Sequence, residues 1–267
     1  MIGVTTDGSP FRLPNVDGYE VMQGGCTDGT YAYLLLENDK LTDEAGNALT
    51  FTDYYGVVQP LSRCKLFKVD MSTWQVVGVS EPLDVDHGNG ITYNPDTNQL
   101  VVAHCTNNTQ RISYVDPDNL TVESYEELGR NLYSIAYNST YKKYVIGVKG
   151  SDKFTIYDAG SKPATASHDK QGIKLMEIMN TPEETKIGYQ NIYCDDDYIY
   201  ITYTGILNAV MCYDWSGNYA GVFYVNCNKE NEAMFHVGNK YYMSFYEPGK
   251  RNGGIVYQLY FDKTLLQ

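Results

Sequence analysis

Residues Gly90–Ala103 read GITYNPDTNQLVVA: an apolar stretch, the polar turn Asn94-Pro95-Asp96-Thr97, and a second apolar stretch. A third strand, Arg111–Val115 (RISYV), follows and closes on Asp116. After the turn Pro117-Asp118-Asn119 comes a fourth strand, Thr121–Tyr125. Each turn residue has a backbone reason to be there, since Asn, Asp and Gly tolerate or stabilise tight turns and Pro presets φ. The same phrase recurs at Gly24–Leu36, Ser134–Val148, Asn191–Tyr203 and Ala233–Phe245, and the third strands close on Asp70, Asp158, Asp214 and Asp262. With Tyr31, Leu100, Tyr144, Ile199 and Tyr241 as equivalent points, the spacings are 69, 44, 55 and 42 residues. Strand-and-turn repeats of this size make a β-propeller with one four-stranded sheet per repeat. The chain therefore reads as all-β, a single five-bladed propeller with four antiparallel strands per blade.

The expected blades span about 23–85, 86–129, 130–187, 188–228 and 229–267. Blade five lacks an outer strand, because only Lys263–Gln267 remain after its third. The segment Pro14–Met22 has no other partner and is expected to supply that strand, closing the ring and removing its exposed edge. Two segments break the period: the insertion Glu37–Leu61 in blade one, and Ala159–Gly188 in blade three and its exit.

Composition narrows the function classes. Net charge is −13 and argues against general nucleic-acid binding, as it does against an anionic membrane surface. No apolar run approaches the ~20 residues of a membrane span. Six cysteines show no CxxC or Cys/His ligand spacing and read as reduced, strand-buried fillers. The opening MIGVTTDGSPFRL has neither the basic start nor the apolar core of a signal peptide, so a cytoplasmic location is expected unless a leader has been removed. The oligomeric state is left open.

Propeller topology sorts the loops onto two faces. Turns between first and second strands, such as Asp28-Gly29, Asn94–Thr97 and Asp195–Asp197, read as short solvated turns. The run Asp195-Asp196-Asp197 lacks the alternating oxygens of a calcium loop. No metal or other cofactor is expected, with calcium at this aspartate run as the alternative. Entries to the inner strands are richer: Gln23-Gly24-Gly25-Cys26, Asp86-His87-Gly88-Asn89-Gly90, Arg130-Asn131-Leu132-Tyr133-Ser134, Tyr189-Gln190-Asn191 and Glu230-Asn231-Glu232. Each of them alone is what ring closure needs, whereas five converging on one axis suggest a ligand site. Cations gather in the second-to-third connections of that face (Arg63, Arg111, Lys149, Lys153, Lys250, Arg251), with Arg130, Lys186 and Lys229 nearby.

The expected function is binding of a small polar, anionic ligand such as a nucleotide or sugar derivative. Asn89, Asn131, Tyr133, Tyr189, Gln190, Asn191 and Glu230 would orient it; Arg111, Arg130 and Lys149 would neutralise it; Glu37–Leu61 would cover it. His87 and Glu232 are the candidates for acid–base work, since imidazole titrates near neutrality and a desolvated carboxyl holds its proton. A hydrolase or lyase in the same funnel and a protein-binding scaffold on the Tyr-rich rim are the alternatives.

HGNGITYNPDTNQLVVA with RISYVDPDNLTV resembles bacterial propellers of the group holding the lactonase-like and surface-layer-type (YncE-like) repeat proteins. The resemblance spans most of the chain as a style of repeat and implies the propeller fold. Metal-dependent lactonases of that group carry a glutamate and Asn/Asp ligands on inner strands, which Glu232, Asn131 and Asn191 would match; their flanking motifs are absent here, and they usually have six blades. Plant-type glutaminyl cyclases are also five-bladed propellers, but their characteristic opening phrase is not in this chain.

Overall fold

In a computed structural model, described here for residues 2–4, 6–53, 56–107, 110–149, 153–158, 166–169, 188–205, 207–247, 249–250, 253–260 and 262–266, the phrase builds five antiparallel sheets. Blade one comprises Val21–Thr27, Tyr31–Asn38, Arg63–Asp70 and Gln75–Val79; blade two Gly90–Asn94, Gln99–Ala103, Arg111–Asp116 and Thr121–Glu127. Blade three is Leu132–Asn138, Lys143–Val148, Lys153–Asp158 and Ala166–Asp169. Blade four is Gly188–Cys194, Ile199–Thr204, Asn208–Tyr213 and Tyr219–Val225, and blade five opens with Glu230–Val237, Lys240–Tyr246 and Ile255–Leu259. Each inner strand packs beside the inner strands of the two neighbouring blades, so the sheets form a closed ring.

The repeated aspartates act locally. Asp70 accepts hydrogen bonds from the amides of Ser72 and Thr73, Asp116 from those of Asp118 and Asn119, and Asp214 from those of Ser216 and Asn218. Asp28 and Asp195 cap the first-to-second-strand turns in the same way. A side chain that satisfies two turn amides fixes the turn without help from the rest of the chain, which is why the repeat is visible in sequence.

Apolar burial lies in five seams, each between two neighbouring blades. Leu34, Phe67 and Val69 of blade one meet Phe235 and Val256 of blade five, and Phe154 of blade three meets Met211 and Tyr213 of blade four. All six cysteines are free, and all but Cys227 are buried. Among the described residues no helix is long and apolar enough to cross a membrane.

The ring closes through the N-terminal segment, but with different residues from those expected. Thr6–Arg12 pairs antiparallel with Ile255–Leu259 as the outer strand of blade five, with an irregularity between Asp7 and Phe11. Pro10, which cannot donate to the ladder, falls in that irregularity. Ile2–Val4 pairs in parallel with Tyr219–Val225 and adds a fifth strand to blade four. Pro14–Met22 is not that strand: Asn15 accepts from the Gly18 amide at 3.1 Å, and Asp17 and Gly18 take φ of 54° and 81°, which makes a turn leading into the inner strand of blade one. The insertion also begins later than expected, since the second strand of blade one continues to Asn38. Beyond it, Thr50–Thr52 and Val58–Pro60 form a small hairpin of their own. Of the segment Ala159–Gly188, residues 159–165 and 170–187 lie outside the described residues.

Candidate functional site

Four of the five inner strands carry a register shift at the same place. It falls between Met22 and Gly25, Leu132 and Ser134, Tyr189 and Asn191, and Asn231 and Ala233. A bulge leaves its extra residue out of the ladder and turns it. The residues so released are Gln23-Gly24, Tyr133, Gln190 and Glu232, and all belong to the inner-strand entries. Blade two reaches the same level by another device. Asp86 takes φ of 58° while its carboxylate accepts the amides of Thr106 (2.8 Å) and Asn107 (2.6 Å). Gly88 follows at φ 62°, and a Cβ there would sit 2.9 Å from the Cys64 sulfur, so glycine is required. This strained pair of residues presents His87.

His87 Nδ1 lies 2.6 Å from Glu37 Oε1, and Gln23 Nε2 donates to the other oxygen of Glu37 at 3.0 Å. Glu37 is buried, whereas 30% of the His87 side chain remains exposed to the mouth. Burial works against a charge on His87, but the charge and hydrogen bond of Glu37 outweigh it and hold its pKa above the ordinary histidine value. Glu232 is 6% exposed and has no hydrogen-bond partner among the described residues. Burial, then the charges of Glu230 and Glu37, raise its pKa well above the carboxylate range. The charge of Glu37 is felt at Glu232, which puts Glu232 within electrostatic reach of the Glu37–His87 pair. Lys149 donates to the Cys105 carbonyl and lies near enough to His87 for its charge to be felt. The ring centroids of Tyr133 and Tyr189 lie 4.7 Å apart with the planes tilted by 41°, and Tyr189 shares a hydrogen bond with Ser134. Gln190 donates to Glu230.

Other expected site residues serve the ring. Asn89 Nδ2 donates to the carbonyls of Tyr133 (3.1 Å) and Gln190 (2.8 Å), and Asn191 Nδ2 donates to the Asn89 carbonyl (2.7 Å). Blades two and four are not neighbours, so the Asn89–Gln190 and Asn191–Asn89 bonds span the axis and form a plug across it. Both amides are consumed there rather than offered to a ligand. Arg111, on the third strand of its blade, pairs with Glu127 at 3.0 Å and lies 4.1 Å from the Tyr125 ring, so its side chain rests against the outer strand. Arg63 pairs with Asp84, and Lys229 and Lys250 with Glu247. Arg130 lies half-buried in the bend before blade three, and the Asn131 carbonyl accepts the Lys149 amide. Lys186 and Arg251 lie outside the described residues. Of the cations expected to neutralise a ligand, Arg111 is held by Glu127, Arg130 sits at the blade-three entry, and Lys149 lies within electrostatic reach of His87. Glu37 is a site residue that the sequence hides at the start of the insertion; the unbroken apolar run Ala32–Leu36 leading into it is the signal that the strand continues.

Beyond the plug, the channel opens into a second chamber of about 600 Å³, lined from all five inner strands. The turns expected to be merely solvated form its rim. Asp195 accepts from Tyr200 OH and Tyr241 OH, each at 2.7 Å, and from Lys263 Nζ at 3.1 Å; Asp197 also accepts from Lys263, and Asp196 from Asn138 at 3.0 Å.

The sequence matches no protein-family model and no curated protein. Among solved structures, the glutaminyl cyclase of Myxococcus xanthus is similar, with a TM-score of 0.60 over 96% of this chain and 97% of that one at 12% identity. The hydrazine synthase of Kuenenia stuttgartiensis matches with a TM-score of 0.44 over 88% of this chain and 58% of that one at 13% identity. At such identity the first likeness shows the fold: a propeller of the kind found in a bacterial enzyme. It supports a propeller-type family without pointing to the lactonase-like and surface-layer group.

Proposed function

We propose that the entry mouth binds a small polar molecule carrying an amine and a carboxamide, and catalyses acyl transfer at that carbonyl. The observation that supports this best is the buried, unpartnered Glu232 beside the Glu37–His87 pair. In the proposed step His87, oriented by Glu37, takes a proton from the attacking amine as its nitrogen bonds to the carbonyl carbon. Glu232 gives its proton to the nitrogen of the breaking C–N bond, and ammonia leaves. Attack within one molecule closes a ring, the class of reaction that the name of the Myxococcus xanthus neighbour denotes. The ligand charge is revised with the site. Lys149 and His87 face Glu37 and Glu230, so a neutral or zwitterionic molecule suits the mouth better than an anion. With water as the attacking group, the same residues would hydrolyse an ester or lactone.

The test offers the protein glutaminyl peptides in one panel and small lactones in another, following ammonia release and acid release respectively. Ammonia release that disappears in Glu232→Gln and His87→Ala while the melting temperature holds is the expected result. Acid release alone would move the reading to hydrolysis. No turnover on either panel, or turnover surviving in both variants, would sink the reading. His87 must lose a proton and Glu232 must keep one, and both pKa values are raised. The pH–rate bell should therefore lie on the alkaline side of one built from ordinary His and Glu values.

A further inference from the structure

The second chamber is a cup closed at its inner end by the Asn89–Asn191 plug. Ile91, Ile135, Ile192 and Met234 line it next to the plug; Tyr93, Tyr137 and Tyr193 follow toward the opening. Four carboxylates, those of Asp28, Asp195, Asp196 and Asp197, stand in its lining against one ammonium, Lys263. Burial lowers the pKa of His236, and Tyr193 hydrogen-bonds its ring. The ammonium of Lys263 is already seated on this rim, against Asp195 and Asp197 and 5.9 Å from the Tyr241 ring centroid. The walls therefore hold a cation by the two means available to proteins, carboxylate pairing and aromatic faces.

We infer that this cup is a second binding site, for a small organic cation with an apolar or aromatic body and a primary ammonium head. Its volume falls in the range of small-molecule pockets. The closed inner end suits a compact molecule better than a threaded chain. The body would rest among the isoleucines and tyrosines, and the head would take the place of Lys263 between the aspartates. This inference is independent of the acyl-transfer reading, since it uses none of the residues of the other mouth.

Calorimetry with tyramine as the probe, and its anionic counterpart 3-(4-hydroxyphenyl)propionate as the control, tests the idea. Tyramine should bind saturably and the propionate should not. Lys263→Ala should tighten binding by vacating the aspartates. The double substitution Asp196→Asn/Asp197→Asn, on exposed rim positions, should weaken binding by roughly three- to tenfold, the range of a partly screened ion pair. Glu232→Gln should leave it unchanged. No saturable binding in either the native protein or Lys263→Ala overturns the inference. So does an affinity indifferent to the loss of both rim carboxylates, or equal binding of the propionate.

Discussion

The two mouths of the ring are made from opposite ends of the same five strands, and they differ in how their polar groups are satisfied. At the entry mouth Glu37 is matched by His87 and Gln23, and Glu230 by Gln190. The Glu232 carboxyl has no hydrogen-bond partner among the described residues. At the other mouth the walls stand apart around about 600 Å³ of space, and the carboxylates are held by tyrosine hydroxyls and one lysine. One end sets the Glu232 carboxyl next to a hydrogen-bonded network; the other spreads charge around a cup. The first arrangement suits chemistry on a bond, the second suits holding a charge, and the asparagine plug keeps them separate.

Four experiments put the difference between the two mouths to the test. The largest effect should come from deleting residues 1–12, which supply the outer strand of blade five and a fifth strand to blade four. Both mouths depend on ring closure, so both should fail together, with the melting temperature falling by roughly 10 °C or more in a thermal scan. Retained stability would show that the ring closes without this segment.

Next is the plug. Asn89→Ala leaves the carbonyls of Tyr133 and Gln190 without their donor and should cost about 1–3 kcal/mol for each, measured by urea unfolding. If the contrast is right, tyramine binding should also change, because the cup loses its closed end.

The third concerns pH. The raised pKa of Glu232 means that the folded protein holds a proton the unfolded chain releases above the ordinary glutamate value of about 4.3. Stability should then fall as pH rises from that value toward the folded pKa, with a slope of up to about 1.4 kcal/mol per pH unit. His87, whose pKa is also raised, contributes stability below about pH 6.5 that is lost as pH rises through its folded value. The two trends have the same sign. Denaturant midpoints across pH should flatten in Glu232→Gln, and a curve unchanged from the native one would mean that Glu232 is solvated.

The smallest effect is expected from Arg111→Ala. Its partners are Glu127 and Tyr125, away from both mouths, so stability should move within about 0.5 kcal/mol and turnover not at all. A loss of activity there would place the substrate outside the entry mouth.

The blades were legible because their signals are local. An aspartate that caps its own turn amides, and alternating apolar residues on either side, need no distant partner to be read. The entry face was legible for the same reason, as five polar entries recur at one structural position. Which of those polar groups remain available was not legible. Asn89 and Asn191 look like ligand donors until the fold brings blade four across the axis, with a sequence separation of 101 between Asn89 and Gln190. Arg111 looks like a cation for the mouth until the outer strand of its own blade offers Glu127.

The sequence by itself determined the architecture: five repeats, their turns, and the end of the ring at which Gln23, His87, Tyr133, Gln190 and Glu232 enter. The tertiary structure alone decided that Glu37, from blade one, meets His87, from blade two, across a separation of 50 residues. It also decided that the Asp195–Asp197 turn rims a cup and that Thr6–Arg12 closes the ring. The physical reason is parity. A strand alternates its side chains, but the bulges at Met22/Gly25, Leu132/Ser134, Tyr189/Asn191 and Asn231/Ala233 break that alternation where each inner strand reaches the axis. Local pattern carries no record of which residue a bulge releases, because the neighbouring blades impose it when the ring closes.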